Sequence, residues 1–188
     1  MSGMIDFKPG NMLYPLPVVM LSMRDKYGKD NIITVAWAGT INTNPPMLSV
    51  SIRPERYSYN IIKESGEFIV NLTNKDLVWE TDYCGVTSGR DVDKFEKLGL
   101  EKSYMDGVNA PAIARSPVHI ACKVRDILPL GSHHMFIADV VAVRVCDAYM
   151  DPKGRFDLAK SEPIAYSHGE YYELGTKLGT FGFSVRKK

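Results

Sequence analysis

Apolar and polar positions along this chain fall mostly in short β-branched runs, several alternating with a period of two, separated by clusters of Gly, Pro, Asn and Asp. Residues 17–24 (PVVMLSMR) form the first run, and DKYGKDN closes it with turn residues. NIITVAWAG (31–39) and MLSVSIR (47–53) are predicted as the next two strands. TINTNPP lies between them, and its Pro45 and Pro46, which cannot donate to a ladder, mark a bend or an edge. In 47–53 the alternation is strict: Leu48, Val50 and Ile52 take one face and Ser49, Ser51 and Arg53 the other. One side therefore meets a core and the other something polar.

The period then changes. PERYSYNIIKESG places Tyr57, Ile61, Ile62 and Ser65 at helical spacing, with Ser58 near the start and Gly66 as a C-terminal stop. EFIVNL (67–72) is a fourth strand. NKDLVWETDYCG predicts a second helix, opened near Asn74 or Asp76 and closed at Gly85, and 85–99 read as a loop with one helical turn at DKFEKLG. Two long β-branched segments follow, 116–131 and 133–149, joined through PLGS into a hairpin; the second can wrap round a barrel or bend at a bulge. After the DPKGR turn, residues 161–188 carry many glycines and aromatics with little amphipathic period. They are expected to form an ordered strip on the barrel or on a neighbouring subunit. Strands outnumber helices and succeed one another as hairpins. The expected fold is thus mainly β with a few short peripheral helices: one domain over 1–188, built as a small barrel of roughly six antiparallel strands whose closure removes exposed edges.

Composition adds little to that picture but prunes functions. With 188 residues, 45% hydrophobic and 24% charged, the chain has the balance of a globular protein. Twenty-three Lys and Arg against 22 Asp and Glu leave a formal charge of +1, so no global field favours nucleic acid or an anionic membrane. No run approaches the ~18 apolar residues of a membrane span, and MSGMIDFKPGN lacks the order of a secretory signal. Cys84, Cys122 and Cys146 are widely spaced with no CxxC pair, which predicts neither a disulfide framework nor a metal site and fits a reducing cytoplasm.

The usual chemical signatures are missing: there is no GxxxxGK[ST], no GxGxxG after a strand, no GxSxG and no HExxH. Cys84 reads as a small buried thiol. His133 and His134 are adjacent, so on a strand they point to opposite faces and do not share a metal; the first either meets an anionic ligand or faces solvent in a turn. Polar and aromatic chemistry concentrates in 31–62, which brings Asn31, Thr34 and Trp37 onto one strand, Ser51 and Arg53 onto the next, and Arg56 and Ser58 to a helix start. A helix N-terminus with a hydroxyl and an arginine suits a phosphate monoester, and a flat Trp37 beside the backbone of Ala36 to Gly39 suits a planar ring. The plainer alternatives are that Ser58 only caps the helix, that Arg53 and Arg56 face solvent, and that Trp37 is core.

The stretch YPLPVVMLSMRDKYGKDNIITVAWAGTINTNPPMLSVSIRPERYSYNIIKESGEFIVNL resembles the flavin reductase-like, FMN-binding split-barrel family, most closely its flavoredoxin branch. The likeness continues through VDKFEKLGL, GSHHMFIADVVAV and PIAYSHGEYYELGTKLGTFGFS, so it covers essentially the whole chain. It implies a split β-barrel homodimer holding FMN near the subunit interface, with the C-terminal strip at that interface. On this resemblance Asn31 and Trp37 line the flavin ring, with Thr34, Ala36, Ala38 and Gly39 contributing backbone contacts. Ser51, Arg53, Arg56 and Ser58 hold the ribityl phosphate; Lys94, which reaches a neighbouring site or the flavin N1, His133 and Tyr166 complete the pocket. His134 and the pair Ala138 and Asp139 depart from the family pattern. The implied activity is an NAD(P)H-dependent oxidoreductase that passes electrons to flavin, ferric complexes or a protein acceptor; the alternative is a flavoredoxin-like electron carrier that does not oxidise NAD(P)H itself.

Overall fold

The alternating runs pair into one seven-stranded antiparallel sheet. The computed structural model describes residues 3–186. In chain order its strands are β1 (Leu16–Pro17), β2 (Val19–Arg24), β3 (Asp30–Val35), β4 (Ala38–Asn42), β5 (Met47–Ile52), β6 (Glu67–Leu72), β7 (Lys102–Ser103), β8 (Ala112–Ile113), β9 (Val118–Pro129), β10 (His134–Val145), β11 (Ile164–Ser167) and β12 (Glu170–Glu173). The helices are α1 (Tyr57–Ser65), α2 (Val78–Val86) and α3 (Lys94–Lys97). The large sheet runs β3-β2-β6-β9-β10-β5-β4, and β1-β11-β12 and β7-β8 form two small ones. The large sheet curls until β3 approaches β5, and the β4–β5 ladder extends one residue ahead of Ala38, where the Ser51 N–H donates to the Trp37 carbonyl at 2.8 Å. The result is a split barrel.

The side chains explain the curl. Leu21 and Met23 from β2, Ile33 and Val35 from β3, Val50 and Ile52 from β5, Phe68 and Val70 from β6 and Phe136 from β10 converge in one core, with Ile62 of α1 among them. In β5 the predicted alternation holds: Leu48, Val50 and Ile52 are buried, Ser49 and Ser51 half-buried. β2 does not alternate because it is covered on both sides; Met20 and Ile32 face a second cluster made with Leu77, Cys84, Phe95, Leu100 and Ile113, which belongs to α2, α3 and their flanks. β10 carries the predicted irregularity, with register shifts at Ile137/Ala138 and Val140/Ala142 that let a long strand bend round the barrel. Helix α1 stops at Gly66, which sits at φ 71°, a left-handed conformation that glycine adopts without a Cβ clash.

One expectation is corrected. NIITVAWAG is two strands: β3 pairs with β2 only as far as Val35↔Val19, because the run beyond is preceded by Pro17, which has no N–H. The chain then turns at Ala36–Trp37, where the Ala38 N–H bonds the Ala36 carbonyl at 2.9 Å, and re-enters as β4 on β5. The expected barrel of roughly six antiparallel strands is met by a main sheet of seven, and five shorter strands lie outside it among the described residues. Within the C-terminal strip β11 and β12 form a hairpin on β1 of the same chain. Its two-residue turn is His168–Gly169, with φ 50° and 87°, the backbone of a tight hairpin turn. Residues 174–186 then run on largely exposed, and Lys187 and Lys188 lie outside the described residues. Among the described residues no helix is long and apolar enough to cross a membrane.

Candidate functional site

Where β3 gives way to β4 the barrel opens into a cleft of about 530 Å³, within the usual range of a small-molecule site. Ile33 and Thr34 form its floor, Ala36 and Trp37 one wall, Ser51, Arg53 and Arg56 another, with His133 at its mouth and Tyr166 and Tyr171 from the C-terminal hairpin on the far side. It continues past Ile33, Arg56 and Gly85 into a narrower cavity of about 260 Å³ lined by Arg56, Ser58, Ser88, Gly89, Arg90 and Lys94. A third recess, about 490 Å³, lies on the other side of Trp37 against Ala38, Gly39 and residues 10–14.

Each wall has a local cause. Thr34 turns its hydroxyl to the Thr81 carbonyl at 2.6 Å, pinning α2 to β3 under the cleft. Gly85 packs beside Thr34, where a Cβ would lie in ordinary contact 3.4 Å from the Thr34 Cβ. Trp37 is not core; it is 38% exposed on the turn between β3 and β4, and His133 lies parallel to it, ring centroids 5.9 Å apart at 4°. His133 is therefore not a free turn residue, and burial together with Arg53 and Arg56 lowers its pKa. His134 points the other way, its Nδ1 hydrogen-bonded to the Tyr59 hydroxyl at 2.8 Å. Tyr166 packs edge-on against Tyr171, whose hydroxyl donates to Asp82 at 3.0 Å.

The narrow cavity is the cationic end. No side chain caps the N-terminus of α1 and no acidic residue lies in its first turn, so its partial positive charge is unopposed within the helix. Ser58 is buried but does not cap; it accepts the Asn31 Nδ2 hydrogen at 2.8 Å, which leaves its own O–H to donate. Arg56 is exposed at the rim. Arg53 lies further out, paired with Glu55 at 3.3 Å. Lys94 is 2% exposed, its Nζ donating to the carbonyls of Ile32 at 2.7 Å and Cys84 at 2.8 Å, and burial lowers its pKa to about 8. Cys84 beside it is an inert core thiol, pushed up to about 11 by burial.

The structure thus brings Thr34, Ala36, Trp37, Ser51, Arg53, Arg56, His133 and Tyr166 to the wide cleft and Arg56, Ser58 and Lys94 to the narrow one. Ala38 and Gly39 face the recess behind Trp37. Two placements differ from expectation. Asn31 is 3% exposed and lies behind the narrow cavity, not along the wide cleft. Lys94 lines a cavity of its own chain, at the cationic end. Sequence reasoning missed Arg90, Ser88 and Gly89, together with Tyr171. The Gly- and Ser-rich GVTSGR, with its arginine, was the available sign for the first three.

A curled antiparallel barrel with a flat-walled cleft leading into a cationic cavity defines a split-barrel flavoprotein of the reductase type. The chain belongs to the family described as Flavin reductase like domain, which it matches over residues 11–175. It is similar to the solved flavoredoxin of Desulfovibrio vulgaris (Miyazaki F), at 28% identity and TM-score 0.89, with 99% of this chain and 100% of that one covered. Flavoredoxin from Methanosarcina acetivorans matches at 29% identity and TM-score 0.89, covering 98% and 100%. Among curated sequences, an NADH:riboflavin 5'-phosphate oxidoreductase of Streptomyces pristinaespiralis is 24% identical over 136 residues, 72% of this chain and 74% of that protein.

Proposed function

We propose that this protein binds FMN along the two joined cavities and works as an FMN-dependent oxidoreductase that takes electrons from NAD(P)H. The observation that carries this reading is the continuity of the groove: a flat-walled cleft ends in a cavity where Arg56, Arg90 and Lys94 meet the hydroxyls of Ser58 and Ser88 at the N-terminus of α1. A phosphate ester carries close to two negative charges near neutral pH and takes hydrogen bonds on three oxygens, which is what this end offers. The residues fit: three cations and two hydroxyls are more than a neutral ligand would use. Arg56, Ser58, Ser88, Arg90 and Lys94 hold the phosphate in this reading, and Trp37, Ala36, Ser51 and Tyr166 border the ring.

When bound, the flavin supplies hydride and single-electron chemistry, which belongs to the cofactor. The chain orients it and sets its surroundings. Trp37 and His133 shield one side of the cleft from water, and the first-turn N–H groups of α1 would add their partial positive charge to that of Arg56, Arg90 and Lys94 at the phosphate. The Streptomyces relative named for NADH and riboflavin 5'-phosphate supports the NAD(P)H reading. A second reading, an electron carrier that exchanges electrons with protein partners and leaves NAD(P)H alone, is supported by the near full-length likeness to two flavoredoxins. Electron acceptors in the first reading are flavin, ferric complexes or a protein. In either case we propose a homodimer, with the exposed terminal arms at its interface.

Purified protein is expected to take up added FMN and to show the absorbance of oxidised flavin. Arg56→Ala and Arg90→Ala are each expected to weaken FMN roughly tenfold or more. Anaerobic mixing with NADH or NADPH bleaches the bound flavin under the first reading. Failure of both donors, with bleaching by a reduced redox protein, selects the carrier; failure to take up FMN at all removes both.

A further inference from the structure

The chemistry at Asn31 goes beyond lining a pocket. Its side chain is buried, lines neither of the two joined cavities, and yet touches two residues that line the narrow one. On one side its Nδ2 donates to Ser58 Oγ at 2.8 Å. On the other its amide abuts Gly89: a Cβ built on Gly89 would lie 2.7 Å from the Asn31 Cγ and 3.0 Å from Tyr57 Cδ1, with the Asn31 Oδ1 closer still. Gly89 is not in a left-handed conformation, so its lack of a side chain serves this close approach and not a turn.

Register on β3 explains the placement. Successive side chains of a strand alternate faces, so Asn31 and Ile33 share one, and Lys29 lies one residue ahead of the strand. Lys29 Nζ donates to the Gly89 carbonyl at 3.2 Å, Asn31 holds Ser58 and abuts Gly89, and Ile33 lies under both cavities. One face of one strand therefore sets the separation of the two walls of the narrow cavity, the start of α1 and the loop of Ser88–Arg90. The hydrogen bond also fixes polarity: because Ser58 Oγ accepts from Asn31, the Ser58 proton is the one left for an anion.

We infer that Asn31 is a positioning residue that selects for a phosphate monoester: it acts through Ser58 and Gly89 to make the groove discriminate FMN from unphosphorylated riboflavin, without touching the ring. This rests on the FMN reading above. The test titrates riboflavin and FMN separately into the full-length wild type, Asn31→Ala and Gly89→Ala, following flavin fluorescence. Asn31→Ala is expected to raise the FMN dissociation constant about tenfold or more while changing that of riboflavin less than about twofold. Gly89→Ala, which leaves the buried strand intact and displaces only the loop, is expected to do the same. The double variant is expected to lose less than the sum of the two, since both changes break one contact.

Equal weakening of FMN and riboflavin in Asn31→Ala overturns the inference in favour of a ring contact. Unchanged FMN affinity in both variants overturns it as well. Wild-type protein that binds neither flavin overturns the cofactor reading itself, which is a different outcome from a wild type that prefers FMN and variants that lose both flavins alike.

Discussion

Lys94 is an interior cation held by two carbonyls and no carboxylate. Its surroundings are the Cys84 thiol, which is neutral at ordinary pH, and the like charge of Arg56. Because burial brings its pKa down to about 8, the free protein loses this charge as pH rises through that value. A phosphate beside Nζ favours the charged form, so binding takes up a proton above pH 8. FMN affinity is therefore expected to fall as pH rises from about 7.5 to 9.5, while riboflavin affinity stays level; titrations at several pH values check this. Lys94→Met removes the slope. His119 gives a second residue-scale prediction, on stability. It is buried, its Nε2 on the Ile113 carbonyl at 2.8 Å and its Nδ1 without a partner, and burial lowers its pKa. Below the ordinary 6.5 the unfolded chain takes up a proton that the folded one refuses, so stability falls as pH drops through that window. Urea midpoints at pH 7.5 and 5 are expected to differ less in His119→Gln than in wild type. At this scale the sequence was informative about residue types but blind to neighbours: Arg56 and Ser58 were legible from a helix start and His133 only through the family resemblance, whereas Arg90 sits in a loop with no motif and joins them only through the fold.

At the scale of elements, α1 and β5 were read almost to the residue, because a helical period ending in glycine and a strict alternation are written in local spacing. Gly66→Ala is expected to cost about 1 kcal/mol, seen as a lower urea midpoint with FMN affinity unchanged, since the strain falls at the far end of α1 from the cavity. The β2–β3 hairpin is tied at its base by Asp30, which accepts from Arg24 at 2.7 and 3.0 Å and from Lys102 of β7 at 2.7 Å. Burial alone would raise its pKa, but hydrogen bonds from Arg24 and Lys102 outweigh it and hold the carboxyl below the usual range. Asp30→Ala leaves two cations around a buried gap and is expected to cost about 3 kcal/mol by chemical denaturation. The break between β3 and β4 was illegible, because the apolar run crosses it without a turn residue. What ends β3 is Pro17, two residues ahead of its partner β2, a fact about pairing. The hairpin of β11 and β12 escaped notice for the opposite reason: its turn is His168–Gly169, and a histidine at positive φ carries a weak compositional signal.

At the scale of the whole molecule, the barrel ends in two arms whose apolar side chains have nothing to cover them within the chain: Met4, Ile5 and Phe7 at one end, Leu178, Phe181 and Val185 at the other, all at least four-fifths exposed. Patches of this kind mark contact with another surface. Removing residues 176–188 is expected to shift the protein toward a monomer by light scattering while leaving its thermal transition sharp, since residues 176–186 contribute nothing to the buried core. By itself the sequence determined the β character, the helix that follows the third predicted strand, the core face of β5 and the types of residue available to an anion, because period, turn residues and charge are properties of neighbours along the chain. Only the tertiary structure decided that a loop at 87–90 joins a helix start at 56–58, that Lys94 belongs to the cationic end, and that Asn31 stands behind the cavity. Those placements depend on which strands pair and how tightly the sheet curls, which are set by contacts between residues far apart in sequence.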